Sequence, residues 1–317
     1  FIPIGAIKMP LLHIEHPEDA ILTGDLDVLS WFSTPGRLSV KIDGSPAIVW
    51  GTDPKDGKFF VGTKSVFNKK IPKLIKSIKD LEKHGYDGEL FDILFHCFRF
   101  LPRTEAIYQG DFIGYGGESE YTPNTLTYHF KDVITANILV APHTVHVGDW
   151  NHSLRDTAPV PLKQGQLEST LYCHFVQPRA YSWNGFDYWD DEDGLCRFNL
   201  LEKANFARQM ATLVDFATPK EATKLKKVIN GYVKKQIDFE PEWFGIKERN
   251  LMRLWKLVYE MKLEMLADCR HDSKLMKTSF QDELTDSEGY VFDNGFGTYK
   301  LVDRNYFSLV NFIAHQN

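Results

Sequence analysis

The sequence predicts an α+β protein. Three patterns carry that expectation: strand-like alternation from residue 37 to 64 and in several stretches up to 181, helical periodicity from about Phe198 to Lys277, and strand character again at 288–302. Strands, then a block of helices, then strands differ from the regular strand–helix alternation of a parallel α/β sheet.

HIEHPEDAILTGDLDVLSWF (13–32) reads as a helix, since Pro17 comes early and Glu18 and Asp19 suit the positive end of its dipole. His13 and His16 read as capping or surface residues. RLSVKIDGSPAIVWG and KFFVGTKSVF read as two strands of a β-hairpin about the turn TDPKDG. In IPKLIKSIKDLEKHG (71–85), Ile71, Leu74, Ile75, Ile78 and Leu81 fall on one helical face. Lys69, Lys70, Lys73, Lys76, Lys79 and Lys83 lie on or beside the other, as a solvated surface or a phosphate-contacting stripe. ELFDILFHCFRFL (89–101) reads as a buried helix, and IYQGDFIGY, NTLTYHF, ANILVAPHTVHVG and LYCHFVQPRAY as strands. After an acidic turn, WDDEDG (189–194), come three helical segments: NLLEKANFARQMATLVDFA, KEATKLKKVINGYVKK and ERNLMRLWKLVYEMKLEMLADCR. EGYVFDNGFGTYKLV (288–302) returns to strands, and a short tail follows.

The chain has 317 residues, 43% hydrophobic and 25% charged, the composition of a globular protein with a sizeable core. A net charge of −6 argues against a surface that is basic all over, so any nucleic-acid site must be local. The segments 64–83 and 220–235 are the basic ones. Cys97, Cys173, Cys196 and Cys269 are scattered, with no CxxC pair and no zinc-finger histidine spacing, and read as reduced structural thiols. FIPIGAIKMPLL has no basic n-region and no run reaches membrane-spanning length, so a soluble intracellular protein without a membrane partner is expected.

The chemistry concentrates around VKIDGSPAIVWG (40–51). Alternation places Leu38, Val40 and Ile42 on one strand face and Ser39, Lys41 and Asp43 on the other. Taken alone, Lys41 and Asp43 read as an ion pair. Farther along, Glu288, Tyr290 and Phe292 alternate against Gly289 and Val291, and Thr298 and Lys300 share a face across the turn. Glu288 and Lys300 are thus expected to point into one cleft with Lys41. An amine attacks phosphorus only when deprotonated, which desolvation and a neighbouring cation such as Lys300 favour. Phosphoryl transfer asks mainly for positioning and charge neutralisation, the work of lysines and Mg²⁺.

KIDGS (41–45) resembles the first motif, Lys-x-Asp-Gly, of the covalent nucleotidyltransferases, the superfamily of ATP-dependent polynucleotide ligases and mRNA capping enzymes. The version here is most similar to the RNA-repair ligases of tailed phages and of fungal tRNA splicing. Further motifs follow in the family's order: FFVGTKS (59–65), YQGDFIGY (108–115), PNTLTYHF (123–130), SEGYVF (287–292) and TYKLV (298–302). HPEDAILTG and QGDF extend the resemblance to a set of tailed-phage proteins, which implies the host cytoplasm as location.

The resemblance implies an ATP-grasp-like nucleotidyltransferase domain of antiparallel sheets flanked by helices. Residues 1–195 and 281–317 would form it, with a helical insertion at 196–280. It implies an ATP-dependent RNA ligase that forms lysyl-AMP on Lys41, passes AMP to a 5′-phosphate end, and seals that end to a 3′-hydroxyl. Asp43 would help hold the nucleotide and orient the lysine, and Gly44 would give the nucleotide room. Lys64 would lie near the nucleotide phosphates or an incoming strand, Asp111 at the ribose, and Tyr128 on the adenine with Phe130 behind it. Glu288 would serve Mg²⁺ or Mn²⁺, and Lys300 would bind phosphate. Two departures stand out: Val302 replaces the second lysine of the last motif, and Asp111 replaces a glutamate. Both bear on sealing more than on self-adenylylation. The alternatives are a non-sealing phage structural or RNA-binding protein that keeps the fold, and transfer of AMP to a non-nucleic-acid acceptor. With 17 residues after Lys300, the oligonucleotide-binding barrel of DNA ligases and capping enzymes is not expected. His143, His146 and His174 are assigned no role.

Overall fold

The computed structural model describes residues 14–67, 71–148, 154, 157–163, 165–182, 198–281, 283–285 and 288–314. His13, Lys69, Lys70, Cys196, Ser287 and the acidic turn at 189–194 lie outside these residues. Short helices α1 (Pro17–Ala20) and α2 (Asp27–Trp31) precede strand β1 (Arg37–Lys41). Strands β2 (Ala47–Thr52) and β3 (Phe59–Thr63) and helices α3 (Lys79–Lys83) and α4 (Gly88–Phe100) follow. Next come β4 (Ile107–Tyr115), β5 (Glu120–Tyr121), β6 (Thr127–Phe130), β7 (Ile138–Val147), β8 (Ala158–Pro161), β9 (Cys173–Phe175) and β10 (Ala180–Ser182). Helices α5 (Phe198–Ala211), α6 (Pro219–Lys234) and α7 (Ile246–Asp268) run in series. Strands β11 (Cys269–His271), β12 (Met276–Phe280), β13 (Glu283–Thr285), β14 (Gly289–Asn294) and β15 (Gly297–Leu301) lead into α8 (Arg304–Ala314). The fold is α+β, with nearly all strand pairs antiparallel. Among the described residues no helix is long and apolar enough to cross a membrane.

The chain divides into two compact units. One consists chiefly of Ile42–Gln177 with Lys274–Leu284. Its larger sheet has the order β3-β2-β4-β7-β8, with β9 parallel to β7. Helix α4 buries Ile93, Leu94 and Cys97 in the same core as Trp50, Val140 and Phe175, a spacing that keeps them on one helical face. Its smaller sheet runs β13-β12-β6-β5. A polar clasp crosses that sheet: His129 hydrogen-bonds Glu120 at 3.0 Å through Nδ1 and Ser279 at 2.6 Å through Nε2.

The other unit consists of Ile14–Lys41, Pro178–Ser273 and the chain from Thr285 onward. Its three-stranded sheet has the order β1-β14-β15. One core unites sheet and helices, with Leu38, Tyr290, Phe292 and Leu301 clustering with Trp31, Leu200, Ile229, Trp255 and Val258. The segment expected as an insertion therefore shares its core with the strands that carry Lys41 and Lys300. Helix α6 starts on a capping box in which Thr218 and Glu221 satisfy each other's backbone N–H groups, with Pro219 at the first position.

Several elements differ from the sequence expectation. The segment 13–32 is not one helix. A 3₁₀ turn, Ile21–Thr23, ends at Gly24 in the left-handed conformation, which stops α1 before α2 begins. The strand read through VKIDGSPAIVWG breaks after Lys41: β1 pairs with β14, and only β2 forms the hairpin with β3. In 71–85 only Lys79–Lys83 is helical. The Asp80 carboxylate accepts from the Lys76 and Ser77 N–H groups at 3.0 and 2.7 Å, and Ile75 exchanges both backbone bonds with Val61 at 2.9 and 3.0 Å. The expected lysine stripe dissolves as well. Lys73 donates to the His84 carbonyl at 2.5 Å, and Lys76 bridges Asp53 and Asp56 at 2.5 and 2.9 Å. The expected tail is largely helix α8, where Asp303 accepts from the N–H groups of Asn305 and Tyr306 at 3.0 and 3.3 Å.

Candidate active site

Lys41 is the last residue of β1. The ladder sets Lys41 opposite Gly289, and Val291 opposite both Ser39 and Lys300. Ser39, Lys41, Gly289, Val291 and Lys300 therefore share one face of the sheet. Val40, Tyr290 and Leu301 line the other, which is the core face. Lys41 and Lys300 thus project to the same side, as expected. Plain alternation from Tyr290 would put Glu288 on the core side, and the structure differs there. Glu288 lies just before β14, and Gly289 adopts φ +149°, where a Cβ would meet the Leu301 carbonyl oxygen at 2.3 Å. That glycine resets the alternation, and the Lys41 ammonium donates to Glu288 Oε2. The pair is largely withdrawn from solvent, at 21% and 10% side-chain exposure.

Lys300 is anchored through its own backbone, whose N–H donates to the Glu15 carbonyl at 3.1 Å. Burial pushes the Lys300 pKa down, the charge of Lys41 pushes it further, and Glu288 opposes the shift. Among the described residues this sheet face brings together the cations Arg37, Lys41 and Lys300 and the carboxylates Glu288 and Asp293.

Behind this pair the same unit holds an ion network that the sequence reading missed. Glu18 is fully buried and accepts from Lys262, also fully buried, at 2.6 Å. Arg304 grips Asp19 through two bonds of 2.9 and 3.0 Å, and its Nη1 stands 3.4 Å from Glu18. Trp255 Nε1 donates to Asp19 at 3.3 Å. His16, read as a capping or surface residue, makes no side-chain cap and is 12% exposed, with Nδ1 3.4 Å from the Lys262 ammonium. Burial, then the charges of Lys262, Arg304, Lys300 and Lys41, push its pKa far below the ordinary value, so its imidazole is neutral. The signal available for Lys262 was periodicity: on α7 it continues the buried row Leu251, Trp255, Val258. Glu18 and Asp19 carried no such mark, since an acidic pair at a helix start has an ordinary role with the dipole.

The remaining expected residues belong to the other unit. The Asp43 N–H donates to Tyr128 Oη at 2.8 Å, and that hydroxyl donates to the Asp43 carbonyl at 3.2 Å. Tyr128 is 1% exposed, so its ring has no open face for an adenine, and its position fits a clamp on the Asp43 backbone instead. Phe130, on the same strand face, is half-buried and meets Tyr121 and His174 edge-on. Gly44 has a packing reason of its own, because a Cβ there would meet the Phe112 carbonyl oxygen at 2.4 Å and Asp111 Cβ at 3.0 Å. Asp111 lies between two register shifts of the β4–β7 ladder, and its carboxylate is 4.0 Å from His143 Nε2. Asp43, Gly44, Asp111 and Tyr128 are thus brought together, with His143 as an unexpected neighbour. Lys64 is exposed at the start of a 3₁₀ turn, Lys64–Phe67, and joins none of them by a described side-chain contact.

Among the described residues no three His, Cys, Asp or Glu side chains converge as a ready-made metal site. Glu288 alone still fits a Mg²⁺ or Mn²⁺ ion of the kind completed by substrate phosphates and water, which needs one or two carboxylates.

A family model described as "Family of unknown function (DUF6267)" matches residues 12–244 and 245–316. No curated protein and no solved structure matches the chain.

Proposed function

The chain belongs to the family of unknown function DUF6267, and from its residues we propose that it is an ATP-dependent RNA ligase working through a lysyl-AMP intermediate on Lys41. One observation carries the reading: Lys41 is paired to Glu288 on the sheet face that also presents Lys300. In the resting state Glu288 holds the lysine in place. When that pair loosens, the positive charge of Lys300 on the same sheet face favours loss of the Lys41 proton. The free Nζ attacks the α-phosphorus of ATP, forming a P–N bond as the bond to the leaving pyrophosphate breaks. An oxygen of a 5′-phosphorylated RNA end then displaces the lysine nitrogen and takes the AMP. A 3′-hydroxyl finally attacks that activated phosphate and AMP leaves. Lys300 serves as the phosphate-neutralising cation throughout. A Mg²⁺ or Mn²⁺ ion held by Glu288 and the phosphates would neutralise charge on the leaving group. Asp43 and Asp111 are the proposed nucleotide contacts, with Tyr128 positioning Asp43. RNA ends in a cell's cytoplasm, that of a phage host, are the proposed substrate and setting.

Val302, buried at 4% exposure where the ligases that the motifs resemble carry a second lysine, favours one second reading. In it, AMP moves from Lys41 to an acceptor other than nucleic acid. Incubation with α-labelled ATP and Mg²⁺ tests both. Acid-labile label is expected on the wild type and none on Lys41→Ala. Transfer to a 5′-phosphorylated RNA separates the ligase from the second reading, and a protein unlabelled by either ATP or GTP would sink both.

A further inference from the structure

We propose that the exposed face of α6 docks the phosphodiester backbone of a single nucleic-acid strand, taking the class of partner from the ligase reading but resting on a surface outside its site. Lys220, Lys224, Lys227 and Lys234 with Lys235 just beyond the helix recur at intervals of four, three, seven and one residues. At about 100° per residue they fall within an arc of roughly 100°. All five are exposed. Among the described residues none of them pairs with a carboxylate, although the nearby Glu221, Asp238 and Glu240 pair with Lys247 at 3.7 Å and with Lys256 at 3.2 and 3.7 Å. Lys226, off the stripe, turns instead to Glu15. The opposite face of the helix, Ala222, Ile229 and Val233, is buried. In a chain of net charge −6, so many lysines on one open helical face form the local basic patch that a polyanion requires.

Gly231 sits in the middle of this arc. A Cβ there would meet nothing within 4 Å, so no packing demands a glycine, which is otherwise unfavourable inside a helix. A local rule broken without a packing gain points to function. Here the missing side chain leaves a shallow place where a sugar–phosphate chain can approach the helix, flanked by Lys227 and Lys234. From Lys220 to Lys235 the stripe is about 22 Å long, enough to contact several phosphates of one strand. Lysine suits this task because it reads charge, not base edges.

The test is binding of a 5′-phosphorylated single-stranded RNA, and of DNA of the same sequence, to the full chain without ATP across a salt series, followed by fluorescence anisotropy. The triple variant Lys224→Gln/Lys227→Gln/Lys234→Gln should bind both strands at least tenfold more weakly. The slope of log affinity against log salt should flatten by about 2, or ~0.7 for each lost contact. Arginine at the same three positions should restore the slope, and Lys55→Gln/Lys58→Gln, in the exposed β2–β3 turn, should leave it unchanged. Unchanged affinity and slope in the triple variant would overturn the proposal. So would a loss confined to binding of phosphatidylserine vesicles, which would make the stripe a lipid surface. Labelling of Lys41 by α-labelled ATP should be equal in triple variant and wild type. Labelling with an unaltered slope counts against the docking face alone, and an altered slope without labelling counts against the ligase reading alone.

Discussion

Under the proposed mechanism Lys41 must be held in place and must also shed a proton. Glu288 holds the ammonium and Lys300 shares its sheet face, while the same unit holds the network of Lys262, Arg304, Glu18 and Asp19. The buried Lys262–Glu18 pair is the part of that network whose stability is easiest to read. Lys262→Met strands Glu18 without its main partner and should cost about 3–5 kcal/mol, as for other broken buried pairs. Adding Glu18→Gln should recover much of that loss, and urea midpoints of the two single variants and the double variant measure the coupling. His16 yields a pH dependence. Its folded form is neutral with a strongly depressed pKa, whereas in the unfolded chain it protonates near the ordinary 6.5. Stability is therefore full above about pH 6.5 and declines as pH falls below it, by up to ~1.4 kcal/mol per pH unit for one histidine. His146, its pKa lowered by burial to about 4, adds to the same trend. Denaturant midpoints between pH 5 and 7 should fall less steeply for His16→Asn than for the wild type. At this scale the shared face of Lys41 and Lys300 was legible from strand alternation, whereas Glu288 reaches Lys41 only because Gly289 resets that alternation. His16, Glu18 and Asp19 were not legible, because their partners lie some 240 to 290 residues away along the chain.

The sheet β1-β14-β15 turns two separate sequence segments, β1 and the β14–β15 hairpin, into one charged face, and Gly289 is its critical joint. Gly289→Ala would place a methyl group against the Leu301 carbonyl in a conformation that L-residues avoid. The expected cost is about 2–3 kcal/mol, together with loss of the Lys41–Glu288 pair. A lowered thermal midpoint combined with lost Lys41 labelling would bear this out, and an unchanged midpoint would contradict it. Elements whose periodicity is sustained, such as α4, α6, α7 and the β14–β15 hairpin, were readable from sequence. The segment 71–85 was not, although its apolar spacing suits a helix. Ile75 is claimed by the edge of β3, Asp80 delays the helix start, and Ile71 is left 86% exposed. Long-range pairing overrode the local pattern there, and it also divided 37–52 between two sheets.

At the scale of the whole molecule, each unit has its own core, and the chain passes from one to the other between Lys41 and Ile42. Lys41 therefore ends a strand of one unit, and Asp43, two residues on, begins the hydrogen-bonded turn of the other. That division was not readable from sequence, where 196–280 stood out by composition as a separate helical body. Its apolar faces in fact complete the core behind β1, β14 and β15. The helices thus back the sheet face that carries Lys41, and they expose a lysine row on α6. The central claim is that Lys41 is the attacking group. Peptide mapping by mass spectrometry after incubation with ATP and Mg²⁺ tests it most directly. The account predicts one AMP moiety on the peptide containing Lys41, absent in Lys41→Ala and strongly reduced in Glu288→Gln. An AMP adduct on any other residue, or an unmodified Lys41 peptide under conditions where ATP is bound, would contradict it.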